Sequence, residues 1–497
     1  MLDDIPLAAI DIGSNSFRLE IGHMRRGRYR RVDYVKQVVR LGGGLDADGR
    51  LVESAAQRGI DCLAEFATHL VDIAAAHVRA VATQTLREAA NRDEFLARGQ
   101  TVLGHPIEVI SGREEARLIY AGVSHLQPSA QPRLVIDIGG RSTEMVLGTQ
   151  HQPTSAESFP VGSVGLSMRY FGDGRISAEA FRAAQVDAGA QFEEALSEFA
   201  PSRWHEALGC SGTVGAVSDI LQACGLTDGQ ITPAALAWLI ERCIAAGDVR
   251  AIDLPALRDD RRAVIPGGLA ILYTLAVHFG IDSLTPAKGA LRQGVIIDLH
   301  SRLTAARRPS PKDMRDNTVN DLQRRFGVDV AQSRRVRELA LALHAAVTRE
   351  ADAEARRELG WVCALHEIGM ALSHHDYHRH SAYMLRHIDA AGFSQSQQRR
   401  IADLVLAQRG GLRKVEGLLQ DPASAWLILC LRLAVIRCHA RLPLAPPEMV
   451  LTRSSAELAS VSWQPIGAPP NLRTMHLLRE EALAWSQIGS LRLNLAE

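Results

Sequence analysis

AAIDIGSNSFRLEIG at residues 8–22 and LVIDIGGRSTEMVLG at residues 134–148 align without a gap at an offset of 126. Ile10-Asp11-Ile12-Gly13 falls on Ile136-Asp137-Ile138-Gly139, Ser16 on Ser142 and Gly22 on Gly148. Each copy reads as an apolar strand ending in Asp, a glycine turn with hydroxyl and amide side chains, and a second strand, which is a hairpin. Such a turn aims several backbone N–H groups at one point, a concave array that suits phosphate oxygens. The Asp closing each strand can hold a cation against the same anion. Two copies facing each other make a cleft with phosphate-binding turns on both walls, so the duplication points to phosphate chemistry.

A chain of 497 residues is too long for one core. Residues 7–123 alternate strands and helices, and residues 133–303 repeat the theme with LVIDIGG, EALGCSGTVGAVSDIL and the helix in GGLAILYTLAVHFG. From about 304 the texture becomes polar, with Pro309 and Pro311 marking a boundary. Beyond it, RRVRELALALHAAV, RRELGWVCALHEIGMAL and QSQQRRIADLVLAQR carry apolar residues at helical spacing. After the Pro-rich RLPLAPPEM, a few strands and one helix close the chain. The expected division is 1–125, 126–303, 304–445 and 446–497.

The 56 basic and 56 acidic residues cancel, so nothing global recommends nucleic acid or another polyanion, and any anion site must be local. No apolar run approaches the roughly 18 residues of a membrane helix, and MLDDIPLAAID runs directly into the first strand. A cytoplasmic protein without membrane association is expected. The seven Cys lack CxxC spacing, which suggests buried, reduced thiols. Only Lys36, Lys288, Lys312 and Lys414 are lysine; the other basic residues are arginine, whose fork suits phosphate.

Around the duplicated turns stand further candidates. In Asp137-Ile138-Gly139-Gly140-Arg141-Ser142-Thr143-Glu144 the glycines allow close backbone approach, two hydroxyls add donors, and Asp137 and Glu144 bracket the turn as oxygen ligands for Mg²⁺. Gly209-Cys210-Ser211-Gly212-Thr213 opens a helix and is either a second anion seat or a close helix–sheet contact. In Ser111-Gly112-Arg113-Glu114-Glu115, Ser111 and Glu114 have capping-box spacing. Glu115 lies about 100° further round the helix, where it serves either as a base for water or as a solvated carboxylate. Arg87 is expected at a strand end, facing the cleft or in a surface ion pair.

DIGSNSFRL, TQTLREA, ISGREEARLI, VIDIGGRSTE, GCSGT, PGGLAIL and GALRQGV occur in the order of the exopolyphosphatase / guanosine pentaphosphate phosphohydrolase family, which the sequence resembles from residue 8 to about 300. The resemblance implies an α/β fold of two ribonuclease H-like, or actin-like, lobes of the actin–sugar kinase–heat-shock ATPase superfold. A mainly α-helical HD-like domain and a small C-terminal α+β segment would follow. It places the catalytic glutamate on Glu115 and the acidic metal and water ligands on Asp137 and Glu144, with Asp11 facing them. Phosphate contacts fall on Ser14, Asn15, Ser16, Arg87, Gly139, Gly140, Ser142 and Thr143, with Arg141, Gly212 and Thr213 added from the residues themselves.

The implied activity is hydrolysis of terminal phosphates of inorganic polyphosphate with Mg²⁺ or Mn²⁺, and with room for a monovalent cation. The alternatives are 5′-phosphate removal from guanosine pentaphosphate (pppGpp), an ATP-dependent kinase or ATPase, and an inactive polyphosphate-binding protein. A homodimer is expected, with the helical region extending the substrate channel through clusters such as His378-Arg379-His380 and Arg399-Arg400. Two departures stand out. Arg141 replaces the third glycine of the family's DIGGGSTE, so it is either strained or a phosphate ligand, and Gln293 replaces the acid of GALREG. In the HD-like region the doublet is His366-Glu367, with His344 and Asp403 as candidate partners. Glu in place of Asp points to a domain without catalysis, and a second metal is the alternative.

Overall fold

The computed structural model describes residues 4–307, 313–348, 352–444, 448–464 and 471–495, and the chain divides into two compact units, Met1–Arg308 and Pro309–Glu497. In the first unit β1 (Leu7–Ile12) is buried along its whole length. It pairs antiparallel with β2 (Ser16–Arg25) and parallel with β4 (Val78–Ala82), and β3 (Arg28–Val38) and β5 (Ile107–Val109) complete the order β3-β2-β1-β4-β5. A central strand covered on both faces explains why LAAIDI is apolar without alternation. The second copy repeats the plan with β6 (Arg133–Ile138), β7 (Thr143–Thr149), β8 (Gln152–Phe159), β9 (Glu206–Cys210) and β10 (Leu284–Pro286), in the order β10-β9-β6-β7-β8. This is the first sheet's order read from its other edge. The two actin-like lobes implied by the motifs are the architecture observed.

Four helices position the site: α1 (Gln84–Glu88) after β4, α2 (Gly112–Leu126) after β5, α3 (Ser211–Ala223) after β9 and α4 (Leu291–Arg307) after β10. Arg87, expected at a strand end, instead lies in α1. The chain turns helical directly after β4, with Thr83 O accepting the N–H of both Leu86 and Arg87 at 3.1 Å. Ser111 caps α2 as its spacing predicts, accepting the Glu114 N–H at 3.2 Å, while the Glu114 carboxylate reaches forward to Arg117.

Although α4 follows the second lobe in sequence, it packs on β1 and β2 of the first and along α2. The two helices share a core with both sheets, Ala9 and Val81 on one side and Val135 and Leu208 on the other meeting Ile119, Val295 and Ile296. Glycine makes the crossing possible. A Cβ on Gly294 would lie 1.7 Å from Leu118 O, and one on Gly122 would lie 2.3 Å from Ala290 O. Beside the crossing, Asp298 of α4 accepts from Arg117 of α2 at 2.7 Å, Arg79 of β4 at 2.8 Å and Arg302 at 2.7 Å. Burial alone would raise the Asp298 carboxyl, but Arg302, Arg117 and Arg79 hold it well below the usual carboxylate range.

The second unit packs the helices Met314–Arg325, Val330–Val347, Ala353–Leu365, Tyr377–His387, Gln395–Ala407 and Pro422–Arg437 with a sheet of β11 (Glu448–Arg453), β12 (Leu458–Gln464) and β13 (Arg492–Leu495) and the helix Leu472–Ile488. One apolar core runs from Trp361 and Leu427 to Val461 and Trp485. Pro309, Pro311 and Lys312 lie outside the described residues, as do 445–447 of the Pro-rich stretch. All seven cysteines are free and six are buried. Among the described residues no helix is long and apolar enough to cross a membrane.

Gly294→Ala should destabilise the first unit by about 3 kcal/mol or more, since the methyl group meets backbone that cannot swing away. Denaturant unfolding that shows a loss below about 1 kcal/mol would remove the α2–α4 contact as the constraint on this interface.

Candidate active site

The two turns converge on a cleft of about 380 Å³. A Cβ on Gly13 would lie 3.0 Å from Ser16 O, and one on Gly139 would lie 3.0 Å from Ser142 O, so both copies close the same tight turn. Gly140 abuts Ser14 across the cleft, where a Cβ would approach the Ser14 Cβ to 3.1 Å. Ser14, Asn15, Ser16, Gly139, Gly140 and Ser142 all line the cavity. Ser14 Oγ accepts from Thr85 Oγ1 at 2.8 Å. Ser16 Oγ is buried without a hydrogen-bond partner, a hydroxyl left free for a ligand. Gly212 and Thr213 also line the cleft at the start of α3, where Ser211 has φ 72° and donates its Oγ to Ile138 O at 2.7 Å.

Hairpin register decides the electrostatics. In β1–β2 Asp11 sits opposite Arg18, and in β6–β7 Asp137 sits opposite Glu144. Asp11 is therefore paired, its Oδ2 accepting from Arg18 Nη1 at 3.2 Å. Asp137 has no such cation on its neighbouring strand, and burial, with Asp11 adding to it, pushes its carboxyl up to about 6. Burial, Glu115 and Asp137 likewise raise Glu144, which accepts from Ser158 Oγ at 2.8 Å. Glu115 projects from the first turn of α2 and is pushed up to about 7 by burial, against the pull of Arg87, whose Nη1 donates to Glu115 Oε2 at 2.8 Å.

Buried carboxylates that resist ionising together form a donor set that suits a hard divalent cation, since oxygen ligands and excess negative charge are what Mg²⁺ selects. Among the described residues no group of three or more His, Cys, Asp and Glu side chains forms a complete cage.

The cleft also has a basic wall absent from the sequence reading. Arg18, Arg31, Lys36, Arg261 and Arg292 line it. Burial and the nearby Arg261 and Arg18 lower the Lys36 ammonium, and burial and Arg18 lower Arg261. Arg261 forms no ion pair among the described residues and lies against Gly212, where a Cβ would be 2.0 Å from its Nη2. The offset of 126 that equates Arg18 with Glu144 was the one available signal. Lys36 and Arg31 sit on an edge strand without a motif, and Arg261 sits in the unremarked RDDRRAV.

Arg87, Arg141, Thr143 and Glu144 do not appear on the cavity wall. Thr143 Oγ1 donates to Val161 O at 2.6 Å. Arg141 has no positive φ, so it is not strained. Its Nε donates to Glu88 Oε2 at 2.9 Å and its Nη1 to Gly42 O at 3.2 Å, which fastens the second lobe's turn to the first lobe. In the second unit His366 Nε2 stands 3.8 Å from Glu367, while the HD-like candidates otherwise engage other groups: His366 with Cys363 O at 2.7 Å, Glu367 with Arg441, His344 with Thr348 Oγ1 at 3.2 Å and Asp403 with Arg386. His378 is buried, and Arg400 pairs with Glu358 at 2.9 Å.

Arg141→Gly should lower stability by about 1 kcal/mol, from loss of a half-exposed ion pair and the greater freedom of glycine in the unfolded chain. A more stable glycine variant in urea unfolding would reinstate strain at this position.

Residues 22–303 match the Ppx/GppA phosphatase family, and residues 314–466 match domain III of that phosphatase family. A solved exopolyphosphatase-like protein is 26% identical, with 61% of this chain and 99% of that one covered and a TM-score of 0.54. The PPX-GPPA enzyme of Aquifex aeolicus is 25% identical, with 59% and 99% covered and a TM-score of 0.50. An exopolyphosphatase from Cytophaga hutchinsonii shares the fold at 22% identity and a TM-score of 0.54, with 59% and 97% covered. With the first match alone spanning more than half of the sequence, the chain belongs to the Ppx/GppA phosphatase family and is a hydrolase.

Proposed function

We propose that the protein removes terminal phosphates from inorganic polyphosphate, with Glu115 as the base that takes the proton of the attacking water. The observation that carries this reading is one cleft with a carboxyl poised at about 7 and, on its wall, cations close enough to depress one another. Such cations are stabilised by a polyanion laid along them, and a base is most effective when its pKa lies near the working pH. The amides of residues 13–16 and 140–142, the free Ser16 hydroxyl, Arg18 and Arg261 hold phosphates, and Arg87 orients Glu115. Asp11 and Asp137, with Glu144 behind them, would hold Mg²⁺ or Mn²⁺, which supplies charge neutralisation for the phosphoryl oxygens.

Tyr34, also on the cleft wall, carries the guanidinium groups of Arg31 and Arg292 at 5.6 and 5.2 Å from its ring centroid. An aromatic face so occupied favours a chain of phosphates over a stacked base. The Aquifex aeolicus relative's printed name couples PPX with GPPA, so guanosine pentaphosphate is the second substrate to test. Phosphate release from long-chain polyphosphate, pentaphosphate and ATP, measured side by side, decides among them. Release from ATP alone would overturn the proposal.

Glu115→Gln should lower kcat by about 10²–10⁴-fold and leave polyphosphate binding intact, and activity within tenfold of wild type would remove Glu115 as the base. A base must be ionised, so kcat/KM should fall as the pH drops through about 7. Arg87 holds the Glu115 carboxyl down, so Arg87→Met should move that acid limb to higher pH. A limb unmoved in pH–rate profiles would separate Arg87 from the function of Glu115.

A further inference from the structure

We propose that Glu20 is a positioning residue that aims Arg292 into the cleft, and that it is the reason position 293 carries an amide. The inference rests on reading the cleft as a phosphate-chain site.

Glu20 lies on β2 and is fully buried. Its two oxygens accept from Tyr29 Oη, from Arg292 Nε at 3.1 Å and from Gln293 Nε2 at 2.6 and 2.8 Å. A carboxylate offers about four acceptor positions, so this one is filled. Arg292 spends its Nε on Glu20, and its Nη1 stands 3.6 Å from Asp11 while its guanidinium covers Tyr34 at 5.2 Å. Three contacts in different directions thus leave the guanidinium one orientation, at the cleft wall.

Gln293 is equally determined. Its Oε1 accepts the Ala290 N–H at 2.9 Å, which turns its NH₂ toward Glu20. A glutamate at 293 would place an oxygen where that donor now stands, within 3 Å of both Glu20 oxygens. Asp11 and Glu20 are at present balanced by Arg18 and Arg292. A third carboxylate breaks the balance in a buried place, and the nearest cation able to restore it is Arg292, drawn back from Asp11. The duplication sharpens the point. The counterpart of Glu20 in the second copy is Val146, an ordinary core residue, so the hairpin itself does not require a carboxylate here.

The test uses the full chain carrying Glu115→Gln, titrated calorimetrically with sodium tripolyphosphate in magnesium buffer, with thermal unfolding followed in parallel. Losing a charge-assisted hydrogen bond that orients a binding group should weaken affinity about tenfold. Glu20→Gln, Gln293→Glu and Arg292→Met should each do so. The exchange Glu20→Gln/Gln293→Glu, which again sets one carboxylate against one amide, should return within about threefold of the parent. Glu20→Gln added to Arg292→Met should cost nothing more, because Glu20 acts through Arg292, whereas a merely structural glutamate would weaken both backgrounds alike. If Glu20→Gln does not fold, Glu20→Asp, which keeps the charge and shortens the reach, takes its place in the cycle.

Additive losses, unchanged affinity in the single variants or no recovery in the exchange would overturn the proposal. Parent protein that binds no tripolyphosphate would overturn the phosphate-chain reading and this inference with it. Binding with an additive cycle would overturn only the role of Glu20.

Discussion

The site depends on one backbone contact, the crossing of α2 and α4 at Gly122 and Gly294. Glu115 stands on the first turn of α2, and Arg292 and Gln293 stand on the first turn of α4. A contact in which carbonyl oxygens meet glycine carbons leaves no room for sliding, because close-packed interiors resist displacement by even a methylene. The buried charges beside the crossing set direction. Asp298 is shared by arginines from α2, β4 and α4 itself. Buried ion pairs add little net stability, but a trio of guanidinium groups on one carboxylate penalises other registers of the helix pair. The proposed base and the proposed binding cation are thus placed by the same contact, although Glu115 and Arg292 stand 177 positions apart in the sequence.

Duplication gave the molecule two similar turns, and a single register position made them chemically different. With Arg18 opposite Asp11 and Glu144 opposite Asp137, the first copy is locally neutral and the second carries excess negative charge in a buried place. Desolvation raises every carboxyl of the second cluster, and mutual repulsion raises them further. One hairpin can therefore present phosphate donors next to a cation while its twin presents donors next to acids, an arrangement suited to seating an anion and a metal together.

The sequence disclosed the parts of the fold and site that are local. Both hairpins, the buried Asp11 and Asp137, the Ser111 cap and the glycine turns follow from strand periodicity and turn chemistry within about fifteen residues. The basic wall did not, because Lys36, Arg31 and Arg261 acquire meaning only when an edge strand of one lobe and a helix-opening glycine of the other come together. The lobe-to-lobe contact of Arg141 was hidden for the same reason. Placed in a phosphate-binding turn, this residue invited reading as a ligand or a strained residue, yet its partner Glu88 is 53 positions away on the opposite lobe. Gln293 was visible as a departure from the family but had no account until Glu20 was found against it.

Ion pairs neutralise most of the acids and cations at the cleft, Asp11 with Arg18, Glu115 with Arg87, Glu20 with Arg292 and Lys36 with Asp260, and leave Asp137 and Arg261 outside the pairing. Arg87 partly offsets the burial of Glu115, but it is already hydrogen-bonded to Gln84 and Ile110 O and cannot approach Asp137 as well. Arg261 rests on Gly212 and feels the Asp260 carboxylate, which does not offset the effect of burial and Arg18. In a cleft of low dielectric a charge left outside the ion pairs is held there by the backbone at a cost in stability. On the function proposed above, a ligand that carries both signs, a magnesium phosphate, would answer both Asp137 and Arg261 at once. The folded protein is in this sense complementary to a charge pattern that its own side chains are prevented from completing.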